Sequence, residues 1–256
     1  MDRRHIVDRL SDARMQPFLD ECGGNCKRAL ALYGWHAELS SAVKDVLALT
    51  EIFLRNAIDK ELLAWNARNN GPQSWLLDPP PRPLRSIVGS QREKAIRRAQ
   101  AAVDCRPSSH PRHGCAITHD DVLSHTTFGL WRTLLPNHHP NANHAAPENV
   151  GRQVLWNQAI KSAFPNVTDP DGSITYWNVS HCNDLRNKVA HMDSLLNVNV
   201  IVESRRAFEL IDSMDHQIAT WVSSRSQVSK VFNKRLKGHF VWINRYGFSG
   251  QPGIIP

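Results

Sequence analysis

The sequence lacks the segments and motifs that mark several large classes of protein. A run of about 18 apolar residues, the minimum for a transmembrane helix, occurs nowhere, so we expect no membrane span. Residues 1–8 carry charges where a signal peptide requires an apolar run, so we expect no signal peptide. The Gly-rich phosphate loop, the Gly-x-Ser-x-Gly turn and the His-Glu-x-x-His motif are all missing. The sequence therefore gives no support to the enzyme classes that these motifs define.

Cysteine is scarce and unevenly placed. The five cysteines are an odd number and are scattered widely along the chain, which is not typical of a disulfide framework. We therefore expect a soluble protein of a reducing cytoplasm. One group of metal-binding residue types lies close together, namely Cys105, His110, His113 and Cys115. Its C-x4-H-x2-H-x-C spacing matches no common zinc module, so we interpret it as a loop, with zinc as the alternative, and predict no metal or other cofactor.

Positive charge is in excess. The chain has 31 lysines and arginines against 24 aspartates and glutamates, a net charge of +7 and a pI of about 9.4. This balance favours a polyanionic partner, although charge alone does not distinguish RNA from DNA or from an anionic membrane.

Helical patterns dominate the chain, and the sequence predicts an all-α fold. A long helix is predicted over residues 30–69, where a stripe recurs at steps of four and three. The stripe consists of Trp35, Leu39, Val43, Val46, Thr50, Phe53, Ala57, Glu61 and Trp65. Further helices are predicted over residues 84–103, from the capping box Thr118-x-x-Asp121 to Leu134, and over residues 147–164, 173–195 and 202–223. Residues 104–117 and 136–146 are expected to be loop insertions. We divide the chain into a helical domain, 1–225, and a basic and aromatic tail, 226–256.

The helix predicted over residues 173–195 carries the most informative polar pattern. At 100° per residue, Cys182, Leu185, Val189 and Met192 form one apolar stripe, and Asp184, Asn187 and His191 lie on the opposite side. Arg186 flanks the stripe, and its long side chain can reach toward Asn187. Arginine binds two phosphate oxygens at once, and histidine transfers protons near neutral pH. These residue types suit the cleavage of an RNA phosphodiester, in which the ribose 2′-hydroxyl is an internal nucleophile.

The arginine–histidine spacing is by itself a weak signal. Similar spacings are given by Arg106 with His113, Arg112 with His119, and Arg132 with His138 or His139. Those pairs run through or end in loops, whereas Arg186 is followed by asparagine and has its histidine on a polar helix face. The alternative interpretation is a solvated helix face with an incidental histidine.

Three ordered segments resemble one known family. Arg186-Asn187-Lys188-Val189-Ala190-His191 is similar to the Arg-Asn-x-x-x-His motif of HEPN ribonucleases. Residues 49–58 resemble the Glu-x-x-Leu-Arg-Asn-x-Ile segment of the Abi-like (abortive infection) family, and residues 127–134 resemble its Phe-Gly-x-Trp helix. The resemblance covers roughly residues 30–222. It implies a HEPN-like helical bundle and a ribonuclease used as a phage-triggered toxin.

The resemblance also implies roles for individual residues. Arg186 would stabilise the transition state, His191 would act as acid or base, and Asn187 would orient them. We expect Glu51, Arg55 and Asp184 to support this site, although Glu51 and Arg55 also fit a plain i, i+4 surface pair.

Contacts to RNA are expected from basic side chains near the motif and on the second long helix. These candidates are Arg92, Arg97, Arg98 and Lys188. A solvated helix face explains the basic helix equally simply. In the tail, Lys230, Lys234, Arg235 and Lys237 accompany Phe240, Trp242 and Tyr246, a mixture that fits single-strand binding or docking onto the core.

HEPN motifs commonly work in pairs, and this chain has one convincing copy. We therefore expect a homodimer that acts on tRNA or another structured RNA, with an antitoxin RNA or protein as a further partner. The alternative function is a HEPN-like module that binds RNA or protein without cutting. A third hypothesis is a toxin silenced by nucleotidyl transfer. Its only support in the sequence is Tyr176, which lies near the motif.

Overall fold

A computed structural model describes residues 2–235, which form eleven α-helices and no strand. The helices are α1 (Arg3–Leu10), α2 (Asp12–Glu21), α3 (Cys26–Arg68), α4 (Leu84–Asp104), α5 (His119–Ser124), α6 (Phe128–Leu134), α7 (Pro147–Gln158), α8 (Ser173–Ala190), α9 (Val200–Met214), α10 (His216–Arg225) and α11 (Val228–Phe232). A 3-10 turn, Ile160–Ala163, follows α7. The prediction of an all-α fold is confirmed. Within the described range, none of the helices has both the length and the apolar character that a membrane span needs.

The helix α3 organises the fold. Its 43 residues extend for about 65 Å at 1.5 Å per residue. The helices α1, α2, α6, α8, α9 and α11 all pack against it. One large hydrophobic core therefore runs along α3, and it extends from Val7 to Val231 in the described range.

The buried stripe of α3 departs from the predicted stripe in the second half of the helix. Its buried members are Trp35, Leu39, Val43, Val46, Thr50, Leu54, Ile58, Leu62 and Trp65. The first five and Trp65 were predicted, but the predicted Phe53, Ala57 and Glu61 are only half-buried. After Thr50 the observed burial follows three steps of four, at Leu54, Ile58 and Leu62, and then a step of three to Trp65. Between Thr50 and Trp65 the buried positions therefore lie one residue C-terminal to the predicted ones.

Two N-terminal helices were missed in the sequence, where residues 1–28 give only weak helical signals. Asp2 caps α1 by accepting a hydrogen bond from the Arg4 N–H at 3.0 Å. Met15 and Phe18 of α2 are buried against the core. These helices are short, so their stability comes from tertiary packing rather than from a long periodic pattern.

Two predicted helices are each divided in two. The capping box of Thr118 and Asp121 is confirmed, but α5 ends after Ser124 and α6 begins at Phe128. The second break lies at Asp215, whose extended backbone separates α9 from α10. Its carboxylate accepts hydrogen bonds from the Gln217 and Ile218 amides and so caps α10. Apolar periodicity continues across this break because Ile211 of α9 and Ala219 and Val222 of α10 share one apolar cluster.

The packed domain extends beyond the boundary predicted at residue 225. Val228 and Val231 of α11 are buried in the core. The Trp35 indole N–H donates to the Val231 carbonyl at 2.9 Å, and Arg235 pairs with Glu21 at 2.5 Å. Residues 226–235 thus belong to the helical domain. The tail residues Lys237, Phe240, Trp242 and Tyr246 lie outside the described residues.

Candidate functional site

The helix α8 carries the candidate motif and is fixed at its N-terminus by a buried carboxylate. Asp169 is 1% exposed and accepts hydrogen bonds from the amides of Ile174 at 3.2 Å and Thr175 at 2.8 Å. Gly172 precedes the helix with φ +83°, and a Cβ there would come within 3.0 Å of the Trp156 ring. Glycine is therefore required at this turn, both for its backbone conformation and for close packing.

The C-terminus of α8 ends at the motif histidine. His191 is the C-cap, and Met192 follows it with a φ of 54°. The Asp193 N–H donates to the Lys188 carbonyl at 2.9 Å, and the Met192 N–H donates to the Val189 carbonyl at 3.3 Å. These two bonds form a Schellman motif, in which the left-handed position usually belongs to glycine. The predicted helix over residues 173–195 thus ends five residues earlier than expected.

Two residues of other helices hold the chain that leaves α8. The Arg14 guanidinium donates to the Met192 carbonyl at 3.0 Å. His36, which is fully buried on α3, places Nε2 3.1 Å from the Asp193 carbonyl oxygen and 3.2 Å from the Leu195 N–H. One nitrogen serves as donor in one tautomer and as acceptor in the other, so the two contacts belong to different tautomers. Burial lowers the pKa of His36 and Arg14 lowers it further, while the Asp193 carbonyl raises it in part.

The Arg186 side chain is directed toward α3. Its Nε lies 3.8 Å from Glu51 Oε2, and its Nη1 donates to Asn187 Oδ1 at 3.4 Å. The Arg186 side chain is 39% exposed and that of Glu51 is 18% exposed. A guanidinium in this position is oriented by a carboxylate and still reachable from solvent. The sequence could indicate this pair only through the family resemblance, because 135 positions separate the two residues.

Glu51 lies in an electrostatically mixed environment. Burial raises the pKa of Glu51, and the Arg186 charge, the Phe128 backbone N–H and the Arg55 charge offset the rise in part. Of the two interpretations of Glu51, an i, i+4 pair with Arg55 or support of the motif, the structure shows Glu51 paired with Arg186. Arg55 acts on Glu51 from a greater distance, and its own Nε is buried without a hydrogen-bond partner.

His191 is exposed and is not part of the Arg186–Glu51 pair. The side chains of Asp184, Asn187 and His191 are exposed on one side of α8, as the helical pattern predicts. Asp184 pairs with Arg132 of α6 at 3.5 Å. Within the part of the chain that the structure describes, the His191 imidazole makes no hydrogen bond or ion pair, and Arg186 has its polar contacts with Glu51 and Asn187. A single chain therefore brings Arg186, Asn187 and Glu51 together but leaves the imidazole free on the surface.

The four candidate RNA-binding residues differ in their surroundings. Arg92 is half-buried and donates from Nε to the Leu76 carbonyl at 2.9 Å and from Nη2 to the Leu77 carbonyl at 2.8 Å. These two hydrogen bonds hold the loop over residues 69–83 against α4. Arg97, Arg98 and Lys188 are exposed. Contact with RNA remains a prediction for all four residues, and the exposed three are free to make it.

The loop rich in cysteine and histidine is organised by an acidic residue rather than by its own thiols. Asp121 pairs with Arg106 at 2.6 Å and with Arg112 at 2.7 Å. Burial favours the neutral acid, but hydrogen bonds from Arg112 and Thr118 and the Arg106 charge hold the pKa of Asp121 well below its usual range. Cys105 and Cys115 are both exposed. Across residues 2–235, no three His, Cys, Asp or Glu side chains gather as metal ligands.

A second histidine cluster was not predicted. His119 Nδ1 lies 2.7 Å from Ser74 Oγ, and its Nε2 lies 3.0 Å from Asp59 Oδ2. The same Asp59 carboxylate accepts the Trp75 indole N–H at 2.7 Å. Serine, histidine and aspartate in this order are the residue types of a hydrolase triad. Positions so far apart, on α3, on the following loop and on α5, leave no pattern in the sequence.

Burial argues that this cluster is structural. Ser74 is 6% exposed, and its hydroxyl accepts the Leu77 N–H at 3.0 Å. Its Oγ is thus occupied in a turn, with little room for a substrate carbonyl. The ring nitrogens are also reversed relative to the usual triad, in which Nε2 contacts the serine. The cluster satisfies buried polar groups and ties the loop over residues 69–83 to α3 and α5.

Comparisons with known proteins add no family assignment. No protein-family model matches the chain. No significant match is found among curated proteins or among solved structures. The candidate site at the end of α8 therefore rests on its own residues.

Proposed function

We propose that this protein is a metal-independent endoribonuclease of the Abi-like, HEPN type, acting as a toxin in abortive-infection defence against phage. The observation that carries the proposal is the Arg186–Asn187 contact one turn before an exposed His191, with Glu51 orienting the guanidinium. The same residues resemble the Arg-Asn-x-x-x-His motif. Exposure of Arg186 and His191 satisfies the first requirement of a site that must admit a polymer.

The chemistry needs a base, an acid and a stabiliser of negative charge. An imidazole removes the ribose 2′-hydroxyl proton, and O2′ attacks the adjacent phosphorus. The P–O5′ bond breaks, and a second imidazole protonates the leaving oxygen. Arg186 binds the phosphoryl oxygens as charge develops, and Asn187 keeps its guanidinium aligned. The products are a 2′,3′-cyclic phosphate and a 5′-hydroxyl.

A homodimer provides the second imidazole. One chain contains a single convincing motif, and among residues 2–235 no hydrogen bond links His191 to Arg186. The exposed side of α8 also carries Ile174, 47% exposed, and Trp177, 37% exposed, within a few turns of the motif. Two copies paired through this side would place two His191 residues and two Arg186 residues around one RNA strand.

The test is incubation of labelled tRNA and other structured RNA with the purified protein in EDTA. We expect cleavage by the wild type, loss of cleavage in Arg186→Ala and His191→Ala, and no change in His216→Ala, which removes an exposed histidine of α10. Cleavage that persists in His191→Ala would refute the catalytic assignment. Equal binding of RNA without cleavage by any variant would favour the alternative, a HEPN-like module that binds RNA without cutting. Growth arrest on expression, abolished by His191→Ala, is the cellular counterpart.

A further inference from the structure

A cleft between α4, α6, α7 and α8 lies beside the motif and has no role in the chemistry proposed above. Its volume is about 350 Å³, within the range of about 300–1,000 Å³ that is usual for small-molecule sites. The lining side chains that matter here are Gln91, Arg132, Asn137, Arg152, Tyr176 and Asn183. The lining is thus polar, contains two guanidinium groups, and includes no carboxylate.

Arg152 is the most informative of these residues. It lies on α7 with its Nε buried and without a hydrogen-bond partner. Burial lowers the pKa of Arg152, and Glu148 and Tyr176 offset this only in part. A partly buried guanidinium with an unused donor is costly, because its lost hydration is not replaced. An anion in the cleft would restore the missing interaction.

Arg132 provides a second cation at the same cleft. Its partner Asp184 lies 3.5 Å away, and the two side chains are 39% and 65% exposed. Exposed pairs of this kind contribute little, so an incoming anion can compete for the guanidinium. The amides of Asn137 and Asn183 and the Tyr176 ring supply the neutral contacts that a sugar or base requires.

We infer that this cleft binds a phosphate-bearing nucleotide through Arg152 and Arg132. The inference deepens the proposed function and rests on it for the choice of ligand, an RNA strand. Asn183 of the cleft and Asn187 of the motif are four residues apart on α8, a rise of about 6 Å. A strand whose scissile phosphodiester contacts Arg186 therefore places a neighbouring nucleotide at the cleft.

The experiment measures binding separately from cleavage. A fluorescent single-stranded RNA with 2′-O-methyl riboses cannot be cleaved, because it lacks the nucleophile. Its Kd is measured over a range of salt concentrations for the wild type, Arg152→Gln, Arg132→Gln and Arg205→Gln. Arg205 is an exposed arginine on α9 and serves as the matched control for loss of one positive charge. Thermal melting confirms that each variant is folded.

We expect the two cleft variants to bind about tenfold more weakly or worse, and the slope of log Kd against log salt to fall by about one. Arg205→Gln should change Kd less than twofold. Unchanged Kd in both cleft variants would overturn the inference. Adenosine 5′-monophosphate is the second probe: if it binds and loses affinity in Arg152→Gln while the RNA does not, the cleft takes free nucleotides and the RNA assignment fails.

The experiments distinguish an error in the cleft inference from an error in the nuclease proposal. If no RNA is cleaved but Arg152→Gln still weakens binding of the 2′-O-methyl RNA, the cleft inference is supported and the nuclease proposal is contradicted. If the wild type cleaves and Arg152→Gln cleaves with unchanged KM, the nuclease stands and the cleft inference is wrong.

Discussion

The molecule contains two histidine clusters that resemble catalytic sites, and they differ in access to solvent. At the end of α8, Arg186 is 39% exposed and His191 is exposed on the surface. In the cluster of Asp59, Ser74 and His119, the serine is 6% exposed and every polar atom has a partner within the protein. The second cluster has the better hydrogen-bond geometry, whereas the first has the better access.

This difference shows why catalytic residue types alone are poor evidence for catalysis. A buried polar network must be satisfied internally, and well-formed hydrogen bonds are then the expected result of folding. Polar groups of a surface motif are hydrated, so they need no partner within the protein. The exposed His191 imidazole therefore remains available to a substrate. The predictions below separate the two clusters, beginning with the largest effect.

The first prediction compares the two histidines directly. His191→Ala should lower the rate of RNA cleavage by about 10²–10⁴, the usual contribution of a general acid or base, and change stability by less than about 0.5 kcal/mol. His119→Ala should destabilise the protein by about 1–3 kcal/mol, because Asp59 and Ser74 lose a partner. Cleavage by the folded fraction of His119→Ala should match the wild type. The measurements are a cleavage time course and urea unfolding; the reverse pattern would assign catalysis to the buried cluster.

The second prediction concerns the carboxylate of the buried cluster. Asp59→Ala should lower the free energy of unfolding by about 2–5 kcal/mol, because the Trp75 and His119 donors both lose their acceptor. Asp45→Ala, an exposed aspartate on the same helix, should stay within about 0.5 kcal/mol of the wild type. Denaturant unfolding checks both variants. Equal stability of the two would show that the cluster contributes no net stabilisation.

The third prediction concerns pH and uses two groups of opposite sign. The pKa of His36 in the native chain is lowered from 6.5. As the pH falls below 6.5, His36 is protonated more readily in the unfolded chain than in the native chain, so the free energy of unfolding decreases. The pKa of Glu51 is raised from 4.5, so its protonation stabilises the native chain, and this stability is lost as pH rises through the folded pKa. His36→Gln should therefore reduce the loss of stability from pH 7 to pH 5. Glu51→Gln should make the loss steeper, and identical slopes in both variants would contradict these assignments.

The smallest effect is expected at the turn that ends α8. Met192 has a φ of 54°, which costs a residue with a side chain about 1 kcal/mol, and glycine adopts it freely. Met192→Gly should leave cleavage unchanged and raise the free energy of unfolding by up to about 0.5–1 kcal/mol. The higher conformational entropy of glycine in the unfolded chain reduces this gain. Thermal unfolding measures this gain. A loss of cleavage without a loss of stability would show that the methionine side chain itself contacts the substrate.

Much of the helical content could be predicted, but helix ends and contacts over long distances could not. The stripe from Trp35 to Thr50 and the capping box at Thr118 follow from spacing within a few residues. The breaks at residues 125–127 and at Asp215 leave the apolar pattern almost undisturbed, because both halves face the same core. The Glu51–Arg186 pair and the Asp59–His119 pair each join helices that are distant in the chain, and local periodicity contains no information about such pairs.

The sequence by itself determined the all-helical class, the apolar side of α8 and the exposure of Asp184, Asn187 and His191 on the opposite side, because each depends only on local propensity and on 3.6 residues per turn. Tertiary structure alone decided that Arg186 pairs with Glu51, that α8 stops at His191 against Arg14 and His36, and that Arg132 and Arg152 share one cleft. The physical reason is that charge pairing, burial and cavity shape arise only when helices far apart in the chain are packed against one another.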